Sequence, residues 1–220
     1  MILLDGVSVQ DRDLLGRLTQ YFAAIDQRVQ EGQGWLIFNA DRQRAARITK
    51  FVLDRLTERR PFISFCFVPW RDFALNAYMS KVELSKVEPA GTGMDPHAQR
   101  GAGPHAARGA DEGHQDQASG RTADRAATEL DIAGRVSRDQ FYAMRYSDVL
   151  VLSGLSPAHR HEVEHLDAVV EVRFARRLPS IIVTPCAPHE LMRAYAAHQG
   201  GDQAWVRLYD GMYASSLIAL

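Results

Sequence analysis

Residues 34–47 read GWLIFNADRQRAAR, a pattern that predicts a buried strand, a turn and the start of a helix. A turn of this kind is where a phosphate-binding loop would lie. Such a loop needs glycines so that backbone N–H groups can surround the phosphates, a lysine for their oxygens, and a serine or threonine for magnesium. The sequence supplies Ala45 and Ala46 where the lysine and the hydroxyl residue would fall, and no such loop occurs elsewhere in it.

Composition is that of an ordinary globular protein. The chain has 220 residues, of which 46% are hydrophobic and 24% charged, and this length predicts a single domain over residues 1–220. The net charge of −1 gives no general attraction to nucleic acid or to membranes, so any basic surface must be local. The two cysteines, Cys66 and Cys186, lie in apolar segments. With no signal peptide or long apolar run in the sequence, they favour a cytoplasmic location and no membrane partner.

One segment, residues 88–128, differs from the rest of the chain. It contains no valine, isoleucine, leucine, phenylalanine, tyrosine or tryptophan. A stretch of this composition cannot bury enough apolar surface to offset the entropy lost on ordering it. We therefore expect a disordered insertion within the domain.

Elsewhere, helical patterns and short apolar runs alternate. The predicted helices are 11–31, 42–59, 70–86, 132–145, 158–177, 188–198 and 203–214. The predicted strands are 35–38, 62–68, 148–152, 180–184 and, at an edge of the sheet, 216–220. The continuous run 62–68 indicates a strand covered on both faces, and the sheet core is expected to contain Trp35, Phe38, Phe62, Phe65 and Phe67. Strands that alternate with helices predict a three-layer α/β fold with a mostly parallel sheet.

The order of these segments resembles the AAA+ module of DnaC/DnaI-type helicase loaders and of the related IstB-like ATPases. The resemblance runs from about residue 11 to residue 220, interrupted by the insertion. Residues 34–38 resemble the first strand of that family, and residues 67–73 (FVPWRDF) resemble the segment after its second strand. Residues 148–155 (DVLVLSGL) match the strand that ends in two acids, and residues 177–186 match the strand before the sensor residue. The resemblance implies a P-loop NTPase-like fold with an AAA+ core.

Carried over position by position, the resemblance implies a site without its chemistry. Ala45 and Ala46 replace the phosphate-binding lysine and the magnesium-binding hydroxyl residue. Ser153 and Gly154 replace the two Walker-B acids, and Cys186 replaces the polar sensor residue. We therefore expect a pseudo-ATPase with no catalytic residue and no ATP or magnesium cofactor. Its expected role is binding or scaffolding in DNA replication or helicase loading, with a replicative helicase or an intact AAA+ ATPase as partner.

Arginines at the degenerate turn keep a second possibility open. Arg42, Arg44 and Arg47 lie in the first turns of a predicted helix, where backbone N–H groups favour anions and a guanidinium can bind phosphate bidentately. DNA could bind through these arginines, and a divergent loader could bind ATP with Arg42 and Arg44 in place of lysine. Alternatively, they form a solvated helix face paired with Asp41 and Asp54. The vestigial site comprises Asn39, Arg42, Arg44, Ala45, Ala46, Arg47, Ser153, Gly154 and Cys186.

A second basic cluster ends the predicted helix 158–177. Arg173, Arg176 and Arg177 lie at the negative pole of that helix, which they would stabilise. They are also candidates for contact with a partner protein.

Residues 161–165 read HEVEH and point to a different class of protein. In a helix, His161 and His165 would lie one turn apart and could bind zinc, with Glu162 as general base. Glu190 or His189 could be the third ligand, which gives a zinc-dependent hydrolase as the alternative. The simpler interpretation is that the histidines form the wet face of an amphipathic helix, because a helix between parallel strands is not the arrangement of zinc peptidases.

Overall fold

In a computed structural model, residues 9–87, 132, 134–196 and 203–220 are described, and their strands form one parallel sheet. The strands are β1 (Gly34–Ile37), β2 (Phe65–Pro69), β3 (Val149–Ser153), β4 (Ser180–Val183) and β5 (Ser216–Ala219). Their order across the sheet is β2-β3-β4-β1-β5, with every pair parallel. The predicted edge strand at residues 216–220 is confirmed as β5. The predicted insertion at residues 88–128 lies outside the described residues.

Helices cover both faces of this sheet. They are α1 (Val9–Ala23), α2 (Ile25–Glu31), α3 (Arg42–Thr57), α4 (Trp70–Val87), α5 (134–146), α6 (Arg160–Ala175), α7 (Pro188–Ala196) and α8 (Gln203–Ala214). Side chains of α1, α2 and α3 share one core with one face of the sheet, and side chains of α4 to α8 share a second core with the other face. The predicted three-layer, P-loop NTPase-like α/β fold is confirmed.

Strand β1, which lies between β4 and β5, belongs to both cores. Trp35 and Ile37 face one core and Leu36 faces the other, and all three are almost completely buried. The first residue of the strand must be glycine because a Cβ on Gly34 would come within 2.0 Å of the Ser180 carbonyl oxygen of β4. The close contact between β1 and β4 therefore depends on the glycine that precedes Trp35 in the sequence.

Strand β2 differs from the prediction, which had it covered on both faces. Phe62 is 88% exposed and Phe67 is 37% exposed, while Val68 on the opposite face is buried. The guanidinium of Arg60 lies 4.5 Å from the ring centre of Phe65 and shields it in part. The placement of Phe62 and Phe67 in the core was wrong because α3 packs on β3, further into the sheet. An apolar run does not distinguish an edge strand from a central one.

The single helix predicted at residues 11–31 is divided into α1 and α2. Ala24 leaves the helical conformation, with φ −114° and ψ 28°, and its N–H donates to the Tyr21 carbonyl at 3.1 Å. The break keeps Tyr21, Phe22 and Ile25 buried against the sheet. The apolar residues keep a helical spacing across the break, so the pattern did not reveal it.

Arg173 occupies an interior position that the sequence prediction missed. It is 1% exposed and lies under the ends of α5 and α6. Its guanidinium N–H groups donate to Ser180 Oγ (3.0 Å) and to the carbonyl oxygens of Met144 (2.7 Å), Ser147 (2.9 Å), Asp148 (3.4 Å) and Pro179 (2.6 Å). Burial lowers the pKa of Arg173 to about 10, so the side chain stays protonated at neutral pH. Its inclusion in an exposed interaction cluster is corrected, because this side chain ties the starts of β3 and β4 to α6.

The other two arginines of that cluster are exposed. The guanidinium of Arg176 lies 4.7 Å from the ring centre of Tyr146, and Arg177 adopts a left-handed conformation with φ 54° just after the helix. The exposed part of the predicted basic cluster is thus Arg176 and Arg177.

We expect replacement of Arg173 by methionine to lower the free energy of unfolding by at least about 3 kcal/mol, because four carbonyl groups would lose a charged donor. Arg176→Met, three residues later and exposed, is the matched control and should change stability by less than about 1 kcal/mol. Urea unfolding of the two variants and the unmodified protein measures both values. Equal small effects would contradict the structural role of Arg173.

Candidate functional site

The candidate site lies where the strands end, between β1 and β4. The chain leaves β1 toward α3 on one face of the sheet and leaves β4 toward α7 on the other face. In open parallel sheets, ligands bind in the crevice formed at such a switch point. The vestigial residues of the resemblance lie around it, in the segments that follow β1, β3 and β4.

The turn after β1 is closed by hydrogen bonds within the protein. The Phe38 N–H donates to the carbonyl of Ala219 in β5 at 2.9 Å. The Asn39 N–H donates to the Cys186 carbonyl at 3.1 Å, and the next N–H, that of residue 40, donates across to the segment after β4 at 2.9 Å. Asn39 adopts a left-handed φ of 54°, which its short polar side chain tolerates. These successive N–H groups are therefore occupied in the place where a phosphate-binding turn would point them at a ligand.

Asp41 caps the first turn of α3. Its carboxylate accepts a hydrogen bond from the Arg44 backbone N–H at 2.8 Å, and this bond is the main reason why the pKa of Asp41 is lowered. The carboxylate remains ionised at neutral pH and lies at the positive pole of the helix. A phosphate at the same N–H groups would have to displace this carboxylate and would be repelled by it.

Arg44, in α3, is hydrogen-bonded to three other parts of the protein at the ends of the strands. Its Nε donates to Asp11 Oδ1 of α1 at 2.8 Å, and its Nη1 donates to the carbonyls of Phe38 (3.3 Å) and Asn39 (3.2 Å). Its Nη2 donates to the carbonyl of Leu220 at 3.4 Å. The side chain is only 11% exposed. Arg44 therefore holds the turn, α1 and the end of β5 together.

The other two arginines of the turn have different surroundings. Arg47 forms an ion pair with Asp11 Oδ2 at 2.8 Å and is about half exposed. Arg42 is exposed, and its side chain has no hydrogen bond or ion pair within the described part of the chain. Of the three predicted anion-binding arginines, Arg42 is the one whose guanidinium is available in this conformation.

The two alanines that the resemblance aligns with nucleotide-binding residues lie on different sides of α3. Ala45 is 8% exposed and packs in the core, whereas Ala46 is exposed. Ala46 lines a surface groove of about 360 Å³ with Thr49, Phe67 and Ser153. This groove, between α3 and the edge of the sheet, is the opening next to the vestigial site.

Ser153 and Gly154, which the resemblance aligns with two acids, differ in the side chains that they could accommodate. Ser153 Oγ accepts a hydrogen bond from Thr49 Oγ1 at 3.0 Å, a contact that sequence reasoning missed and that only the packing of α3 on β3 reveals. Gly154 has φ 85°, and its N–H donates to the Val183 carbonyl at 2.8 Å. A residue with a side chain would be strained at that φ. An acid at position 154 would therefore require a different backbone.

The segment after β4 completes the closure of the edge. Thr184 is fully buried; its Oγ1 donates to the Leu155 carbonyl at 2.6 Å and accepts a hydrogen bond from the Cys186 N–H at 3.2 Å. Cys186 is half-buried, and its carbonyl accepts the bond from Asn39. At position 186, the expected sensor position, the chain therefore has a thiol and a backbone whose N–H and carbonyl both take part in the turn contacts.

The side chains of the HEVEH motif make structural contacts in α6 and with a neighbouring helix. Glu162 is buried, and its carboxylate accepts hydrogen bonds from the N–H groups of Ala158 (2.7 Å) and His159 (3.1 Å), which caps α6. The His165 ring stacks on that of Phe141 with 5.2 Å between the ring centres. Glu190 caps α7 by accepting the Ala187 N–H at 2.8 Å, and no described group of three or more His, Cys, Asp or Glu residues could hold a metal ion. The structure does not bring His161, His165 and Glu190 together.

The chain is similar in structure to one solved protein among those compared. The chain is similar to the solved structure of a candidate primosome component from Streptococcus pyogenes serotype M3, with a TM-score of 0.49 and 11% sequence identity. The match covers 91% of this chain and 77% of that protein. No protein-family model matches the sequence, and no curated protein matches it significantly. Within the described part of the chain, none of the helices has the length and hydrophobicity needed to span a membrane.

The stacked position of His165 predicts a pH dependence. Burial, and to a smaller extent the neighbouring His161, lower the pKa of His165 below its ordinary value of 6.5. As the pH falls through 6.5, the unfolded chain therefore takes up a proton before the folded protein does, and stability decreases. Above this range both states are neutral and the effect vanishes.

We expect an NMR titration to give a midpoint for His165 below 6.5 in the folded protein. Between pH 8 and roughly pH 5, the free energy of unfolding measured with urea should fall less for the His165→Phe variant than for the unmodified protein. The reason is that the unfolded variant cannot take up a proton at this position. A midpoint at or above the ordinary value would refute the assignment.

Proposed function

We propose that this protein is a DnaC/DnaI-like AAA+ protein that does not hydrolyse ATP and that acts as a binding or scaffold factor in DNA replication, most specifically in helicase loading. One observation carries the proposal. The successive N–H groups of the turn after β1, which would surround the phosphates of a nucleotide, donate instead to carbonyl groups of neighbouring segments, among them those of Ala219 and Cys186. A nucleotide could use them only if the turn first broke these bonds.

Electrostatics at the same edge support the proposal. The Asp41 carboxylate occupies the positive pole of α3, and the Arg44 guanidinium is held by Asp11 and by the carbonyls of the turn. Ser153 supplies a hydroxyl where a metal-supporting carboxylate would be needed, and Gly154 is in a conformation that disfavours one. The absence of nucleotide-binding residues that the resemblance implies thus coincides with a turn whose polar groups are hydrogen-bonded within the protein.

The divergent loader that binds ATP through Arg42 and Arg44 is the second candidate. Arg44 would have to leave Asp11, which is 8% exposed, to reach a phosphate. Its departure would leave Asp11 paired with the half-exposed Arg47 and would break the hydrogen bonds to the carbonyls of Phe38 and Asn39, a loss of stability that a phosphate would have to offset. Only Arg42 is placed to take part without such a loss, so the non-hydrolysing role is favoured.

A binding role requires a partner, and the family resemblance proposes one. We infer a replicative helicase or an intact AAA+ ATPase, in the cytoplasm. The exposed arginines Arg176 and Arg177 offer a basic surface for that contact, and Arg42 offers a local contact for DNA. The zinc-dependent hydrolase has no observation in its favour.

The nucleotide prediction is tested by calorimetry and phosphate release. ATP with magnesium should bind with a dissociation constant no lower than on the order of 1 mM, and phosphate release should equal that of buffer. Arg42→Ala is the informative variant, because Arg44→Ala would also disturb the fold. Micromolar binding by the unmodified protein that Arg42→Ala weakens would establish the divergent loader instead.

The partner prediction is tested by co-purification with the replicative helicase of the same organism and with its intact AAA+ relatives. We expect association that is weakened several-fold by the double variant Arg176→Glu, Arg177→Glu, because rim charges govern association through complementary potentials. Arg193→Glu, on exposed α7, is the matched charge-reversal control. If neither class of protein associates with the unmodified chain, the proposed role is wrong.

A further inference from the structure

A cavity of about 460 Å³ lies at the N-terminal ends of the strands, whereas the vestigial site lies at their C-terminal ends. It is formed where three helix–strand connections come together at the starts of β1, β4 and β5. Its walls come from the segment after α2, the end of α6 and the end of α8. This volume is within the range of small-molecule sites, although ligands of parallel sheets usually bind at the other edge.

The floor of the cavity is apolar. Val170 of α6, Ile182 of β4 and Met212 of α8 line it, and each is at least nine-tenths buried in the protein. Phe174 lies at the same wall and is 58% exposed, so a large apolar side chain remains uncovered beside the opening. Burial of an apolar group against these residues would be favourable because it removes apolar surface from water.

The charge lining the cavity is mainly positive. Arg173 contributes one wall, and its N–H groups donate to neutral oxygens only, without an ion pair to any described carboxylate. Arg177 contributes a second, exposed guanidinium that also has no ion pair in the described residues. The one carboxylate in the lining, that of Glu31, is paired with Arg28 at 3.3 Å and also accepts a bond from Gln27. Burial lowers the pKa of Arg173, and the nearby Asp148 carboxylate offsets part of this effect.

Two hydroxyl groups complete the polar part of the lining. Ser180 Oγ accepts the Arg173 Nε bond at 3.0 Å, so its own hydrogen can donate to a ligand. Ser216, at the start of β5, lines the same cavity. The hydroxyls and the planar guanidinium of Arg177 suit the two oxygens of a carboxylate, which a guanidinium binds bidentately.

We propose that this cavity binds a small carboxylate with an apolar body. The body packs on Val170, Ile182 and Met212, and the carboxylate is placed toward Arg177 and the hydroxyl of Ser180. The single negative charge of the ligand lies beside the positive charges of Arg177 and Arg173, which both line the cavity. This site is separate from the vestigial site, so it does not depend on the absence of nucleotide binding. Because Arg177 also belongs to the proposed partner surface, the test uses the protein without a partner.

The test uses 4-phenylbutyrate and its uncharged amide as probes of the full-length protein, by NMR titration. We expect the carboxylate to bind about tenfold more tightly than the amide, because the amide loses the charge-assisted bonds. Shifts of amide signals should include Gln33, Ser180 and Ser216. Arg177→Ala should weaken carboxylate binding roughly fivefold and leave the amide unchanged.

Arg176→Ala is the matched control, since Arg176 precedes Arg177 but does not line the cavity, and its affinity should equal that of the unmodified protein. Ser216→Trp should abolish binding of both probes by filling the cavity. Three results would each overturn the proposal: absence of binding, equal binding of the carboxylate and the amide, or an equal effect of Arg176→Ala and Arg177→Ala.

Discussion

A backbone N–H group donates one good hydrogen bond, and the arrangement at the end of β1 follows from where those bonds go. The N–H groups that follow the strand donate to carbonyls of β5 and of the segment after β4. These bonds join the turn after β1 to both segments at the C-terminal ends of the strands. The turn is therefore part of the structure that holds the sheet together. Fold stability and phosphate binding compete for the same donors, and in this chain the donors serve the fold.

Buried arginines hold the two ends of the sheet. Arg44 joins α1, the turn after β1 and the end of β5 at one edge, and Arg173 joins α5, α6 and the starts of β3 and β4 at the other. A guanidinium suits both positions because it offers five donors in a fixed plane. The two differ in compensation: Arg44 is paired with Asp11, whereas Arg173 is surrounded by carbonyl dipoles. Either replacement by lysine would leave carbonyl groups without a donor.

The sequence predicted the features that depend on local pattern. Apolar runs and helical spacing located all five strands. The last of them, β5, lies beside β1 at an edge of the sheet, as predicted. Features that depend on which element covers another were missed. The burial of Arg173 and the exposure of Phe67 are set by the positions of α5 and α3, and no local pattern carries that information. Likewise, Glu162 resembles a general base in the motif and caps a helix in the structure.

The uncovered face of β2 has a consequence for solubility. No described strand pairs with its outer edge, and Phe62 and Phe67 lie uncovered beside it. Open edges with apolar side chains are templates for pairing between copies of a chain, and proteins limit this hazard with short strands, proline and charge. Here the strand has five residues and ends in Pro69, which cannot donate to a neighbour, and arginines flank it at positions 59 and 60. We therefore expect repulsion between those cations to oppose pairing of two copies in dilute salt, and added salt, which screens it, to favour aggregation through this edge.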